Sequence, residues 1–268
     1  MAQKTVPDIP APRVRAGTPE MLYGGQIARV YVWEVPIRVV HWIVFFSIIV
    51  LAFTGWYIHT PFIVNGGTPI LQMATIRFIH EVSAFIFSIA VATRIFWFFV
   101  GNRYASWRAF LPLNRANQRG IRQMLKYYLF LSWEPPLAVG HNRLAGVSYL
   151  AVYLLMVLQI ATGVVLYGWI TYNTPLFGWM TALLDIQWIR EIHYFTMFLF
   201  FAFPIHHVYS ALVVSIEEKN GLLGSIFSGY KFVPACLLPE DERRKAFEHA
   251  RDVRLACEPE HLEEYSGD

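Results

Sequence analysis

The chain has 268 residues, of which 56% are apolar, 16% aromatic and only 15% charged. Soluble domains average about a quarter charged residues, so this composition excludes an ordinary soluble globule, and so many rings call for a lipid boundary. The net charge of +3 is too small to imply a nucleic-acid partner, and two cysteines, Cys236 and Cys257, make neither a disulfide framework nor a cysteine metal site.

The first thirty residues, with PDIPAPRVRAGTPE at their heart, are too polar and proline-rich to fold, and they lack the early apolar core of a cleaved signal peptide. A first uncharged apolar run follows at about 39–58. A second, at about 76–100, is interrupted by Arg77, Glu81 and Arg94. The segment from Gly101 to Gly140 contains SWRAFLPL and QMLKYYLFLSW, a basic and aromatic mixture that predicts a helix lying among lipid headgroups. Two further uncharged runs lie at about 144–170 and 192–216. Each of the four runs meets the length of about twenty residues that a helix needs to cross about 30 Å of hydrocarbon. From Pro239 onward the charged sequence predicts a short surface helix and an acidic end. The expected fold is an all-α integral membrane protein: an N-terminal tail at 1–34, a four-transmembrane-helix bundle at 35–216 and a C-terminal tail at 217–268.

Basic residues are retained on the cytoplasmic side during insertion, so their placement gives the orientation. Lys4, Arg13, Arg15, Arg29 and Arg38 precede the first run, and Arg103, Arg108, Arg115, Arg119, Arg122 and Lys126 lie between the second and third. Seven more follow the fourth, whereas the other two connections hold only Arg77 and Arg190. Both termini are therefore expected in the cytoplasm of a bacterial inner membrane.

Five histidines fall inside these runs: His41, His80, His193, His206 and His207. An ionisable group at such depth marks a functional site by default. Three of them close an Arg-x-x-His repeat at the start of a span: Arg38 to His41, Arg77 to His80 and Arg190 to His193. At that spacing the imidazole lies one helical turn deeper than the guanidinium, on the same face. Haem asks for this arrangement, because its iron takes an imidazole while its propionates take interfacial arginines. His207 lies fourteen residues after His193, which returns to within about 40° of the same helix face and rises about 21 Å; His206 lands about 140° away. One helix thus offers an imidazole near each membrane surface. Topology pairs His80 with His193 at the outer level and His41 with His207 at the inner one, giving two bis-histidine haems. Arg77 and Arg190 are assigned to the outer propionates and Arg38 to the inner ones.

Gly55, fourteen residues after His41, either lets an outer porphyrin approach the backbone or serves ordinary helix packing. His59 ends the first span, and His249 and His261 lie in the charged tail, where solvation accounts for them. At the cytoplasmic start of the third span, His141, Asn142 and Gly146 form a polar cluster suited to a quinone. A helix cap at Asn142 is the alternative.

Several motifs in order carry a resemblance: Tyr-Val-Trp-Glu-Val-Pro at 31–36, Arg-Val-Val-His-Trp at 38–42, Arg-Phe-Ile-His at 77–80, Phe-Val-Gly-Asn-Arg-Tyr at 99–104, Gly-His-Asn-Arg-Leu-Ala at 140–145 and His-His-Val-Tyr at 206–209. Over roughly residues 30 to 232 the chain resembles the b-type dihaem cytochrome subunit of membrane-bound nickel-iron hydrogenases, a family related to the formate dehydrogenase cytochrome b subunit. The resemblance places the haem ligands at His41, His80, His193 and His207. It implies a periplasmic partner with a nickel-iron large subunit and an iron-sulfur small subunit, within a larger complex in the membrane lipid. It also implies that this chain is the electron-transfer subunit of a hydrogen:quinone oxidoreductase, passing electrons from outer to inner haem and on to quinone. The cytochrome subunit of a formate dehydrogenase or thiosulfate reductase shares these features. A transporter whose histidines handle protons or metal ions is the alternative of a different class.

Overall fold

The computed structural model describes residues 27–61, 69–111, 115–132, 140, 143–172, 178–234 and 238. The expectations for residues 1–26 and 239–268, and for His141, Asn142, Cys236 and Cys257, lie outside them. The chain runs β1 (Ile27–Tyr31), α1 (Val35–His59), α2 (Pro69–Val100), α3 (Arg115–Tyr128), α4 (Arg143–Tyr172), α5 (Gly178–Leu183), α6 (Ile186–Glu218), α7 (Leu222–Ser228) and β2 (Tyr230–Pro234).

Four helices, α1, α2, α4 and α6, are long and apolar enough to cross a membrane. Each begins ahead of its apolar run, α2 at Pro69 and α6 at Ile186, because a spanning helix continues into the interface, where polar residues are tolerated. Local chemistry sets their ends. Pro36 sits in the first turn of α1, where its missing N–H costs nothing. The Asp185 carboxylate accepts the Gln187 N–H at 2.8 Å to cap α6. That helix ends at Lys219, whose φ of 47° is left-handed. It runs unbroken past Pro204.

Helix α1 packs on α2 and α6, and α4 packs on α2, α3 and α6. At mid-depth the four spans meet in an apolar layer of Phe87, Val91, Val152, Met156 and Phe200, joined by Val44, Ile48 and Leu51. On every span these residues fall between two positions fourteen residues apart: 41 and 55, 80 and 94, 149 and 163, 193 and 207. The layer therefore separates an upper from a lower set of inward-facing side chains. Large apolar side chains on the outer faces, such as Phe99 and Ile205, are exposed by 73% and 72%, as a lipid-facing surface requires.

The end of the N-terminal segment departs from expectation. Residues 27–31 are not an unfolded tail: β1 pairs antiparallel with β2, Arg29 opposite Phe232, so the bundle's two flanks close on each other. The Trp33 indole donates to Ser225 Oγ at 2.9 Å. Glu34 Oε2 accepts the Trp97 indole N–H at 3.0 Å and the Asn102 backbone N–H at 2.9 Å, and Asn102 Nδ2 donates to the Val32 carbonyl at 3.0 Å. The Tyr-Val-Trp-Glu and Gly-Asn-Arg-Tyr motifs thus form a clasp tying the start of α1 to the end of α2. Helix α7 and β2 likewise give the first part of the C-terminal segment a fixed place beside this clasp.

Candidate functional site

The four inward-facing histidines meet in two pairs. His41 on α1 and His207 on α6 have ring centres 6.3 Å apart at 56°, and His80 on α2 and His193 on α6 have centres 6.5 Å apart at 68°. Helix α6 contributes to both pairs. The fourteen residues between His193 and His207 separate the pairs by about 21 Å along its axis. His206 is exposed, its Nε2 3.4 Å from Ser210 Oγ, while His207 is half-buried with its ring stacked on Phe203. His207, and not His206, therefore faces His41 across the bundle.

The two rings of the upper pair sit in the same kind of setting. His80 Nδ1 lies 2.8 Å from Thr54 Oγ1, and His193 Nδ1 lies 2.9 Å from Thr162 Oγ1. Each threonine also contacts its own helix, Thr54 the Val50 carbonyl at 2.7 Å and Thr162 the Leu158 carbonyl at 2.8 Å. A carbonyl has no proton to give, so the hydroxyl donates there and accepts from Nδ1–H. Each ring is thereby fixed as the Nδ1–H tautomer, with the lone pair on Nε2. The Gln159 amide N–H, 3.2 Å from His193 Nε2, meets that lone pair.

The residue after each threonine is glycine. A Cβ on Gly55 would stand 3.3 Å from His80 Cε1, and one on Gly163 would stand 3.2 Å from His193 Cε1. Both are tighter than ordinary contact, so the absent side chains are what let the imidazoles lie against the neighbouring backbone. A Thr-Gly pair on α1 therefore seats the α2 histidine, and a Thr-Gly pair on α4 seats the α6 histidine. Gly55 stands out in the sequence by its distance from His41, whereas Thr54, Thr162 and Gly163 do not stand out alone. The repeated Thr-Gly, each fourteen residues from an inward-facing side chain at the lower level, is the signal that would have found them.

The lower pair is held differently. The Tyr149 hydroxyl lies 3.2 Å from His207 Nδ1, whereas His41 Nδ1 is buried with no hydrogen-bond partner among the described residues. Arg38, one turn before His41, donates from Nη1 to the Phe227 carbonyl, and its Nε is buried without a partner among the described residues. Arg77 is exposed, and Arg190 is exposed and donates to Gln187 Oε1. Gly146, expected beside a quinone, is buried, and a Cβ there would stand 3.2 Å from the Ala109 carbonyl oxygen. Its place in the fold is to let the 101–111 segment lie against α4. His59 stacks on Tyr194 with centres 3.6 Å apart.

These residues fit haem. A metal held between two imidazole nitrogens at about 2 Å, with each ring centre about 1.2 Å behind its nitrogen, spaces the centres by about 6.4 Å. Both observed separations, 6.3 and 6.5 Å, match that span. Among the described residues no three His, Cys, Asp or Glu side chains converge as a metal cluster, so each imidazole pair stands by itself.

Membrane-spanning helices that present histidine pairs near both ends of the bundle define a membrane cytochrome of the b type. A family model described as prokaryotic cytochrome b561 matches residues 32–229, and the chain belongs to that family. It is similar to a probable Ni/Fe-hydrogenase B-type cytochrome subunit of Cupriavidus necator, 34% identical over 217 residues that cover 78% of this chain and 89% of the relative. The corresponding protein of Bradyrhizobium diazoefficiens is 33% identical, with 75% and 85% covered. A probable Ni/Fe-hydrogenase 1 B-type cytochrome subunit of Escherichia coli is 31% identical, with 75% and 90% covered. The chain is thus a multi-pass membrane cytochrome that carries haem b and transfers electrons.

Proposed function

We propose that this chain is the membrane anchor and electron-transfer subunit of a periplasm-facing nickel-iron uptake hydrogenase, delivering electrons to membrane quinone. The observation that carries the reading is the pair of imidazole couples, 6.3 and 6.5 Å across, at the two ends of α6. His80 with His193, and His41 with His207, would each hold one haem b, which would supply a one-electron carrier. Two carriers about 21 Å apart along the helix axis reach across the hydrocarbon, as one at its centre would not.

The chain's own residues do the holding and insulating. Thr54 and Thr162 orient the outer imidazoles, Tyr149 touches the inner one on α6, and the apolar layer between the levels excludes water. Arg77 and Arg190 are assigned to the outer propionates and Arg38 to the inner ones. The clasp at Glu34, Trp97 and Asn102 lies at the inner end, which the basic flanks place in the cytoplasm together with both tails, 1–34 and 217–268. The partner subunits supply the hydrogen chemistry from the periplasmic side. Quinone is assigned to His141 and Asn142, which immediately precede α4 in the sequence, Gly146 being taken up by the packing of the 101–111 segment.

The test is spectroscopic, on membranes holding the assembled complex. Hydrogen should reduce the b-haem α-band and added quinone should reoxidise it. A haem that stays oxidised under hydrogen while the partner hydrogenase reduces a soluble dye would exclude the role.

A further inference from the structure

Arg94 lies within a spanning helix and only 5% of it is exposed. It does not reach water by snorkelling, because Ala105 and Phe110, which lie over it, are 0% and 2% exposed. Its Nε donates to the Tyr153 hydroxyl at 3.1 Å and its Nη2 to the Ala105 carbonyl at 3.2 Å. The guanidinium carbon stands 4.2 Å from the centre of the Phe98 ring. Nη1 is buried with no hydrogen-bond partner among the described residues. All its partners among the described residues are neutral, so among them a permanent cation is buried in apolar surroundings without a counter-charge. Such a charge is strongly unfavourable unless an anion joins it.

Position indicates which anion. Arg94 follows His80 by fourteen residues, so it takes the same face of α2 at the level of the lower histidine pair. Its partner Tyr153 lies one turn from Tyr149 on α4, and the Tyr149 hydroxyl is the group 3.2 Å from His207 Nδ1. We propose that Arg94 is the buried counter-charge of the inner redox centre, its open Nη1 receiving a propionate carboxylate of the haem held by His41 and His207. This rests on the dihaem reading above and adds a residue that reading does not use. A fixed positive charge favours the electron-rich state, so Arg94 raises the inner haem's midpoint potential.

The experiment is a redox titration of the purified full chain carrying Arg94→Gln, with haem counted in the same sample. The expected result is two haems per chain, one wave moved to lower potential and the other unmoved, with Arg94→Lys restoring most of the shift. Two haems with both waves in place would overturn the proposal. So would unmoved waves accompanied by weakened binding of a quinone analogue, which would make the guanidinium a quinone ligand. If Arg94→Gln does not hold haem, resonance Raman spectra of wild type and Arg94→Lys decide. The propionate bending mode should differ between them, and identical modes would overturn the assignment. Failure of the dihaem reading itself would show separately, as a wild-type chain with fewer than two haems.

Discussion

Oγ1 of Thr162 stands 2.9 Å from Nδ1 of His193 across the interface of α4 and α6, while giving its single proton to the Leu158 carbonyl at 2.8 Å. Thr54 holds His80 in the same way from α1. The direction of these bonds matters more than their strength, because only the Nδ1–H tautomer leaves Nε2 to bind iron.

Thr162→Val or Thr54→Val keeps the side-chain shape and removes the acceptor. The expected loss is about 10- to 100-fold in affinity for the outer haem, with the inner haem unaffected and Thr→Ser close to wild type. Haem transfer to excess apomyoglobin measures this; equal transfer rates for the Val, Ser and wild-type chains would count against the threonines as orienting groups.

The glycines give a sharper size dependence. Gly163→Ala places a Cβ 3.2 Å from His193 Cε1, which a small shift of the ring accommodates, whereas Gly163→Leu displaces the imidazole outright. Pyridine haemochrome assay should fall from two haems per chain to one for Gly163→Leu and for Gly55→Leu, and stay near two for the alanine variants. Retention of both haems in the leucine variants would mean that these glycines serve helix packing alone.

At the lower level, His207→Ala should remove a haem and His206→Ala should keep both, since His207 faces His41 and His206 is exposed. The reverse outcome would show that the helix winds differently after Pro204 once haem is in place.

The levels should also differ in tenacity. Both outer imidazoles have a hydroxyl on Nδ1, but at the inner level only His207 has one, and His41 Nδ1 has none among the described residues. Under rising denaturant or detergent stress the inner haem should leave first, which loss of the α-band followed separately in His41→Ala and His80→Ala chains would reveal. Simultaneous loss, or earlier loss of the outer haem, would contradict this.

Four spans and four inward-facing histidines are legible because each follows from a one-dimensional rule: apolar length for the helices, and a fourteen-residue return to one face for the histidines. The same rule applied to every span would also have reached Arg94, Tyr149 and Gly163, but each lacks a metal-binding side chain and draws no attention alone. Thr54 and Thr162 were not legible as histidine partners, because threonine in a membrane helix ordinarily bonds its own backbone, as both also do. The β1–β2 pair escaped because each strand has five residues, with some two hundred residues between them, and a sheet partner at that distance leaves no local pattern. Helix α1 and its clasp show the remaining limit. Glu34 reads as the start of a helix, yet its carboxylate holds Trp97 and Asn102 from the far end of the next span.

The most direct test of the central claim is haem quantitation combined with electron paramagnetic resonance on the purified oxidised chain. Two imidazole pairs with ring centres 6.3 and 6.5 Å apart predict two haems b per chain, both low-spin with nitrogen on each axial side. A single haem per chain, or a high-spin signal from a five-coordinate iron in the intact protein, would contradict it.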